Sequence, residues 1–365
     1  MATTYYRYLF ADVLTNQIIA ELPITNVNFT QQLNAAGTFT GDLLLSGVDS
    51  ARLNVLASTI PGRCAVYVDR SGILVWGGIV WAREYDSANQ HLKITAREFE
   101  SYFERRRITT TQAYSNVDQL TIAQQLIQNA QAVPYGNIGV IIPSNTSGVV
   151  VSQTYYSYEF KTYFNALLDL AKNNNGFDFN IKVAYDGDGN PTKTLQLGYP
   201  RLGNTYSALS ASVPTFILPA GNIVQYNYKE DGTKAVNTVY ATGAGSNEGK
   251  LIATGIDSTK TASGWPLLED SSNYSNITDS TFLSGLANGQ VLAASYPPQT
   301  LQIVAPPYAD PVFGTYSLGD QARIVVTDPF YPNEFDGNYR IIGLNVSPGE
   351  NTAERVTLTL TTTSN

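Results

Sequence analysis

Few residues in this chain could do chemistry, and their spacing argues against most of it. His91 is the single histidine among 365 residues and Cys64 the single cysteine. A zinc site takes three or four ligands of these kinds, and nucleophile–histidine catalysis needs a positioned imidazole, so neither has its parts here. His91 falls where a turn runs into a strand pattern and reads as a solvated strand end. The run Asp186-Gly187-Asp188-Gly189-Asn190 opens like a calcium loop. An EF-hand requires Gly at the sixth position and Glu at the twelfth, and these are Pro191 and Leu197. A tight hairpin turn explains the run better. Gly243-Ala244-Gly245 follows a strand pattern but lacks the third glycine and the helix of a dinucleotide fingerprint, so it too reads as a turn. A glycosidase needs only two carboxylates, and no pair stands out among the thirty acidic residues.

Three further features have a bland reading and a functional one. Arg105-Arg106-Arg107 could meet a phosphate or a partner. Its simpler role is to end a short amphipathic segment (Phe99, Tyr102, Phe103) and complement its C-terminus. Trp76 and Trp81 could stack on a sugar, but core or interface packing is the default for such rings. They flank Gly77-Gly78 inside GILVWGGIVWAREYD. On an unbroken strand they face opposite sides, whereas a bulge at the glycines would bring them to one side.

The elements that must position these residues are mostly strands. YYRYLFADV and QIIAELPI read as a hairpin about Thr15-Asn16, followed by NVNFTQQL and GTFTGDLLL. CAVYVDR, one long strand over 73–85 with a break at Gly77-Gly78, and HLKITARE come next. The segment 107–222 differs. QLTIAQQLIQNAQA carries a helical stripe of Leu120, Ala123, Ile127 and Ala130. YEFKTYFNALLDLAKNNNG carries another (Phe160, Phe164, Leu167, Leu168, Ala171), with Glu159 expected in its first turn and Gly176 as its C-cap. FDFNIKVAYDGDGNPTKTLQLGY reads as a hairpin. From 223 strands return: NIVQYNYKED, NTVYATGAG, a loop through about 280, then a helix pattern weakened by two glycines and stopped by Pro297-Pro298. TLQIVA, DQARIVVTD, NYRIIGLNV and ERVTLTLTT follow. In the last, Val356, Leu358 and Leu360 alternate with threonines, as in a half-buried strand. The expected fold class is mainly β with an α/β insertion.

Composition limits the functions. Charged residues make up 14%, against about 25% in typical soluble chains, and 24 tyrosines help fill the polar surface. Such a surface suits faces covered by other subunits, because interface cores are poor in charge and rich in Tyr and Trp. A net charge of −8 argues against DNA held by counterion release, though not against DNA passing through an acidic lumen. The lone cysteine fits folding in a reducing cytoplasm. No signal peptide and no membrane span are read from the sequence. The sequons at Asn28, Asn145, Asn273 and Asn276 read as chance matches.

The order of segments resembles a known family. The ILVWGGIV strand, LKITAREFESYFERRRI, the TIAQQLI helix, a longer helix ending in GFDFNI, VNTVYATGAG, and SLGDQARIVV with NYRIIGLNVSPGENTAERVTLTL carry the likeness over nearly the whole chain. It is similar to the minor tail or baseplate hub proteins of long-tailed bacteriophages, a family shared with contractile injection machines. The resemblance implies two related small β-barrel domains flanking an α/β module, here 1–106, 107–222 and 223–365. It also implies a homotrimer whose six barrels ring the DNA exit channel and join the distal tail protein ring or tail tube to the tip. Other tail-tip and receptor-binding proteins would be neighbours, and receptor binding or wall digestion would sit on another chain. The family supplies no active-site motif, so no catalytic, cofactor or metal residues are expected. The alternatives are a carbohydrate-binding tail or surface protein and, behind it, a carboxylate glycosidase.

Overall fold

The structure, a computed structural model, describes residues 4–47, 49, 52–206, 213–219, 221–294, 299–349 and 353–362. The first β region contains β1 (Tyr6–Asp12), β2 (Ile18–Glu21), β3 (Thr25–Gln32), β4 (Thr38–Leu44), the one-turn α1 (Val55–Ser58), β5 (Cys64–Arg70), β6 (Ile73–Asp86), β7 (His91–Glu98) and α2 (Glu100–Phe103). The middle segment holds β8 (Gln112–Asp118), α3 (Gln119–Gln131), β9 (Val140–Ile141), β10 (Val150–Tyr155), α4 (Tyr163–Ala171), β11 (Asp178–Tyr185) and β12 (Pro191–Gly198). Then come β13 (Thr215–Leu218), β14 (Gln225–Glu230), β15 (Thr238–Thr242), β16 (Ile252–Ile256), α5 (Ser258–Ala262), β17 (Glu269–Asn273) and α6 (Ser280–Ala294). The last strands are β18 (Gln299–Ala305), β19 (Gln321–Val326), β20 (Phe335–Ser347) and β21 (Arg355–Thr362). The fold is mainly β with an α/β insertion, as the sequence indicates.

Both β regions belong to one hydrogen-bonded ladder, β14-β18-β21-β20-β3-β4-β7-β6-β5-β1-β2, with β19 and β13 branching from β20. Central strands are buried on both faces, which is why the run CAVYV of β5 is apolar instead of alternating. Ala65 and Tyr67 enter one core, shared with the middle segment, while Cys64, Val66 and Val68 enter the other, shared by the two β regions.

Strand order repeats within the ladder. In the first region β5-β6-β7-β4-β3 are neighbours, and in the second β19-β20-β21-β18-β14. The members follow the chain in the same order in both, and every pairing is antiparallel. The long strands β6 and β20 carry matching bulges: Trp81 lies unpaired between Val80↔Ala96 and Ala82↔Thr95, and Ile342 between Ile341↔Leu360 and Gly343↔Thr359. Beside each bulge, a left-handed glycine donates its N–H to the preceding carbonyl. Gly62 binds Val80 O and Gly319 binds Ile341 O, both at 2.7 Å.

β6 is one strand from Ile73 to Asp86 and pairs with both β5 and β7, as expected. The irregularities, however, sit at Val75 and Trp81, not at Gly77-Gly78. The glycines serve close approach instead. A Cβ on Gly78 would stand 2.2 Å from Arg97 O, and one on Gly77 2.8 Å from both Tyr67 and Val183.

Other expectations shift for local reasons. α3 is capped by Asp118, which accepts from Leu120 N and Thr121 N, and its expected stripe is buried. α4 begins only after Thr162, whose Oγ1 accepts from Asn165 N, so Glu159 lies in a preceding turn and Phe160, left-handed and 58% exposed, is outside the stripe. Gly176 is no left-handed cap; its Cβ would meet Ala171 O at 1.9 Å. The expected loop to 280 contains β16, α5 and β17, of which the two strands flank β15 in a separate sheet. α6 covers the predicted helix, and its expected stop at Pro297-Pro298 lies outside the described residues.

Candidate functional site: the seam between β regions and its open edges

None of the residues singled out for chemistry converges on another. His91 starts β7 opposite Leu44 and Asp86. Asp186 accepts from Asp188 N and Asn190 N and closes the β11–β12 hairpin, with Gly189 left-handed. Gly243 bonds across to Leu251 in the connection between β15 and β16. Arg107 donates to Phe160 O and Arg106 lies over the Tyr102 ring. Cys64 is fully buried, and burial pushes its thiol pKa up. The two tryptophans stay on opposite sides of β6. Trp76 is fully buried between the β regions and donates to Thr30 O (2.9 Å), while Trp81 packs toward the middle segment and donates to Ser101 Oγ (2.8 Å). Both indoles are used in packing, so they form no shared sugar platform. Among the described residues, no three His, Cys, Asp or Glu side chains gather as metal ligands would.

The structured feature is the seam. β3 and β20 pair antiparallel through Gln32↔Gly343, Gln31↔Leu344, Thr30↔Asn345 and Phe29↔Val346. Leu33 N extends the pairing to Ile342 O. Asn28 crosses it, donating to Asn345 Oδ1 (2.7 Å) and Ser347 Oγ (2.9 Å). Beside the seam, Asp178 at the start of β11 ties three regions together. It accepts from Asn34 Nδ2 (2.9 Å) and Leu202 N (2.9 Å) and forms an ion pair with Arg340 of β20. Asn34 in turn accepts from Phe179 N (2.7 Å). A second buried ion pair, Arg70–Glu354 (2.8 Å), links β5 to the approach to β21.

Charge is also buried where the middle segment docks on the first β region. Glu98 accepts from Gly37 N (2.7 Å), and burial beside Glu100 holds its pKa well above the carboxylate range. Glu100 accepts from Ile181 N at 2.5 Å, and burial raises it to about 7. Lys193 donates to Asn16 Oδ1 (2.9 Å) and sits 4.9 Å from the Phe99 ring centroid; burial lowers it to about 8. Each group fills a docking contact and opens onto no substrate cleft.

One face of the seam sheet is apolar core (Phe29, Leu344, Leu358). The opposite face is concave and lined mainly by uncharged polar side chains, among them Thr30, Gln32, Gln302, Thr357 and Thr359, with the exposed Arg355 at its margin. The largest groove, about 1060 Å³, contains three carboxylates, each ion-paired to an arginine: Glu21 to Arg7, Asp49 to Arg52 and Glu354 to Arg70. Within the two repeated five-strand units, two backbone edges are open among the described strands. β14 pairs only with β18, and residues 82–86 of β6 pair only with β7.

No protein-family model matches the chain, and no curated protein matches it in sequence. Solved structures do match in fold. The prophage MuSo2 43 kDa tail protein from Shewanella oneidensis superposes with a TM-score of 0.60 at 15% identity, covering 98% of both chains. The tail protein from Neisseria meningitidis MC58 gives 0.57 at 13%, covering 98% of this chain and 97% of that one. Prophage tail protein gp18 from Listeria monocytogenes EGD-e gives 0.55 at 12%, covering 98% and 95%. This chain has the fold of these tail proteins from end to end.

Proposed function

We propose that the chain is a structural hub protein of a phage tail tip and not an enzyme. Three copies form a ring of six β units that joins the distal tail ring or tail tube to the tip and surrounds the DNA exit channel. The units are the β-barrel domains 1–106 and 223–365, with 107–222 as the insertion between them. The observation that carries this reading is the repeated strand order in one chain, β3-β4-β7-β6-β5 and β14-β18-β21-β20-β19, in a fold shared over 98% of its length with tail proteins. Two like units per chain let three chains meet a sixfold neighbour.

The largely uncharged polar face of the seam sheet suits a lumen lining, because with Arg355 as its one charged lining residue it gives phosphates little to exchange counterions with. The place of such a protein is the virion tail, after assembly in the host cytoplasm. Among the described helices none is long and apolar enough to cross a membrane.

The first test is native mass across a concentration series, alone and with the distal tail protein added, followed by reconstruction of any oligomer. A three-chain particle with six β units in a ring is the expected result. A single chain under both conditions overturns the trimer.

A further inference from the structure

The seam inside the chain shows how one β unit joins the next, and the repeat then indicates where the same joint is missing. Aligning the bulges Trp81 and Ile342 places Ala82, Arg83, Glu84 and Tyr85 of β6 on Gly343, Leu344, Asn345 and Val346 of β20. Following the ladder outward, Ala96 corresponds to Leu360, Phe39 to Leu301 and Phe29 to Tyr228. In the first unit, β3 pairs with β20 of the second. The counterpart of β3 is β14, and the counterpart of the β20 segment is 82–86 of β6. Within the repeated units those two edges are the open ones, and six strands separate them in a ladder that ends beyond β6 at β2.

We propose that β14 of one copy pairs antiparallel with residues 82–86 of β6 in the next copy, repeating the internal seam between chains. The register transferred from the seam is Asp231 opposite Ala82, Glu230 opposite Arg83, Lys229 opposite Glu84 and Tyr228 opposite Tyr85. The charges match across the joint, with Lys229 turning from its present partner Asp231 (3.1 Å) toward the facing strand. Arg83 meets Glu230 and Glu84 meets Lys229, two opposite-charge pairs directly across the strands. A register slipped by one residue would set Glu84 against Glu230. Asn227 falls on the position of Asn28, which crosses the internal seam, and its counterparts across the joint are the carboxylates Glu84 and Asp86 in place of Asn345 and Ser347. Glu84, Tyr85, Lys229 and Glu230 are exposed in the single chain, and Tyr228 is half-buried. Arg83 is held in place by Leu56 O (2.6 Å) and Thr59 Oγ1 (2.9 Å). The occupant of each edge is therefore a second copy of this chain.

This inference rests on the trimeric reading and adds the joint and its register, so its test separates the two. Because Leu33 N donates to Ile342 O, Ile342–Leu33 is a hydrogen-bonded pair, and Asn345–Thr30, three residues along, is a non-hydrogen-bonded one. By transfer Glu84–Lys229 is non-hydrogen-bonded, the closer kind of pair, with Cα atoms about 4.5 Å apart and within disulfide reach. Full-length E84C/K229C is oxidised and run without reductant. Expected are inter-chain linked species up to three chains, reversed by reductant and absent from either single variant. In parallel, E84K and K229E each weaken association at least about tenfold, and E84K/K229E restores it, as cross-strand charge pairing requires. A trimer that neither cross-links nor responds to the reversals overturns this joint while leaving the trimer standing. A chain that stays single and uncross-linked at all concentrations overturns both.

Discussion

Replacing Asp178 with alanine tests whether the three regions are held as one body. The carboxylate is nearly buried, its side chain 9% exposed, and its Arg340 partner is 14% exposed. Removing it strips Arg340 of its counterion and leaves the Leu202 N–H and the Asn34 amide without their acceptor. Arg340 keeps two weaker contacts, to Gly319 O (3.2 Å) and Leu202 O (3.0 Å). Breaking a buried pair from one side costs about 3–5 kcal/mol, a large share of the roughly 5–15 kcal/mol that holds a domain. The reverse change is milder, because in R340M the carboxylate still accepts two hydrogen bonds; about 2 kcal/mol is expected for a charged group that keeps such partners. D178N/R340M removes both charges and keeps the shape, so its loss is smaller than the summed losses of D178N and R340M by more than about 1 kcal/mol.

The assay is denaturant unfolding followed by tryptophan fluorescence and near-UV circular dichroism together, since coincident transitions license a single free energy. A loss under about 1 kcal/mol in D178A, or strict additivity in the double variant, refutes the claim that this pair couples the regions.

Glu100 and Lys193 give stability a pH dependence with opposite signs in adjacent windows. Glu100 is raised to about 7, so between 4.5 and 7 the folded state keeps a proton the unfolded state has lost. Stability therefore falls by about 3 kcal/mol as pH rises through that range, and E100Q, which can still accept from Ile181 N, flattens the fall in pH-dependent melting. Lys193 is lowered to about 8, so above that pH the unfolded state holds the extra proton and stability rises, by about 2 kcal/mol near pH 9.5. K193M abolishes the rise. Finally, G78A forces a Cβ to 2.2 Å from a backbone oxygen and 2.5 Å from the Trp76 ring, an overpacking cost of about 3 kcal/mol or more. G187A, with open space and an ordinary φ, leaves the melting temperature unchanged.

Much of the fold was legible because periodicity and turn chemistry are local. The Ser71-Gly72 turn, left-handed at both residues, delimits β5 and β6, and Val356, Leu358 and Leu360 of β21 alternate as written. What escaped was non-local or disguised. β17 reads EDSSN, an exposed polar strand with no apolar signal, recruited only because β15 offers an edge. Gly77-Gly78 looked like a bulge because sequence cannot distinguish a glycine that bends a strand from one that lets Val183 and Arg97 approach. Asp178 and Arg340 lie 162 residues apart. Glu98 and Glu100 look like ordinary strand-end carboxylates until the middle segment covers them.

The two glycines that weakened α6 in the sequence explain how the edges stay clear. Each costs about 1 kcal/mol of helix propensity relative to alanine. A Cβ on Gly285 would meet Asn173 Oδ1 at 2.4 Å, and one on Gly289 would meet Lys172 O at 2.4 Å. Asn174 N also donates to Gly285 O (3.1 Å). Bare backbone there lets α6 lie against the end of α4, and its Phe282, Leu283, Leu286 and Ala287 join the core of the middle segment. The insertion between β14 and β18 is thus drawn onto the module formed by 107–222, although it interrupts the second β unit. Docking the two insertions together gathers them around one core, and the repeated five-strand units retain two unpaired edges, β14 and the outer half of β6, at the positions where a repeated seam needs them.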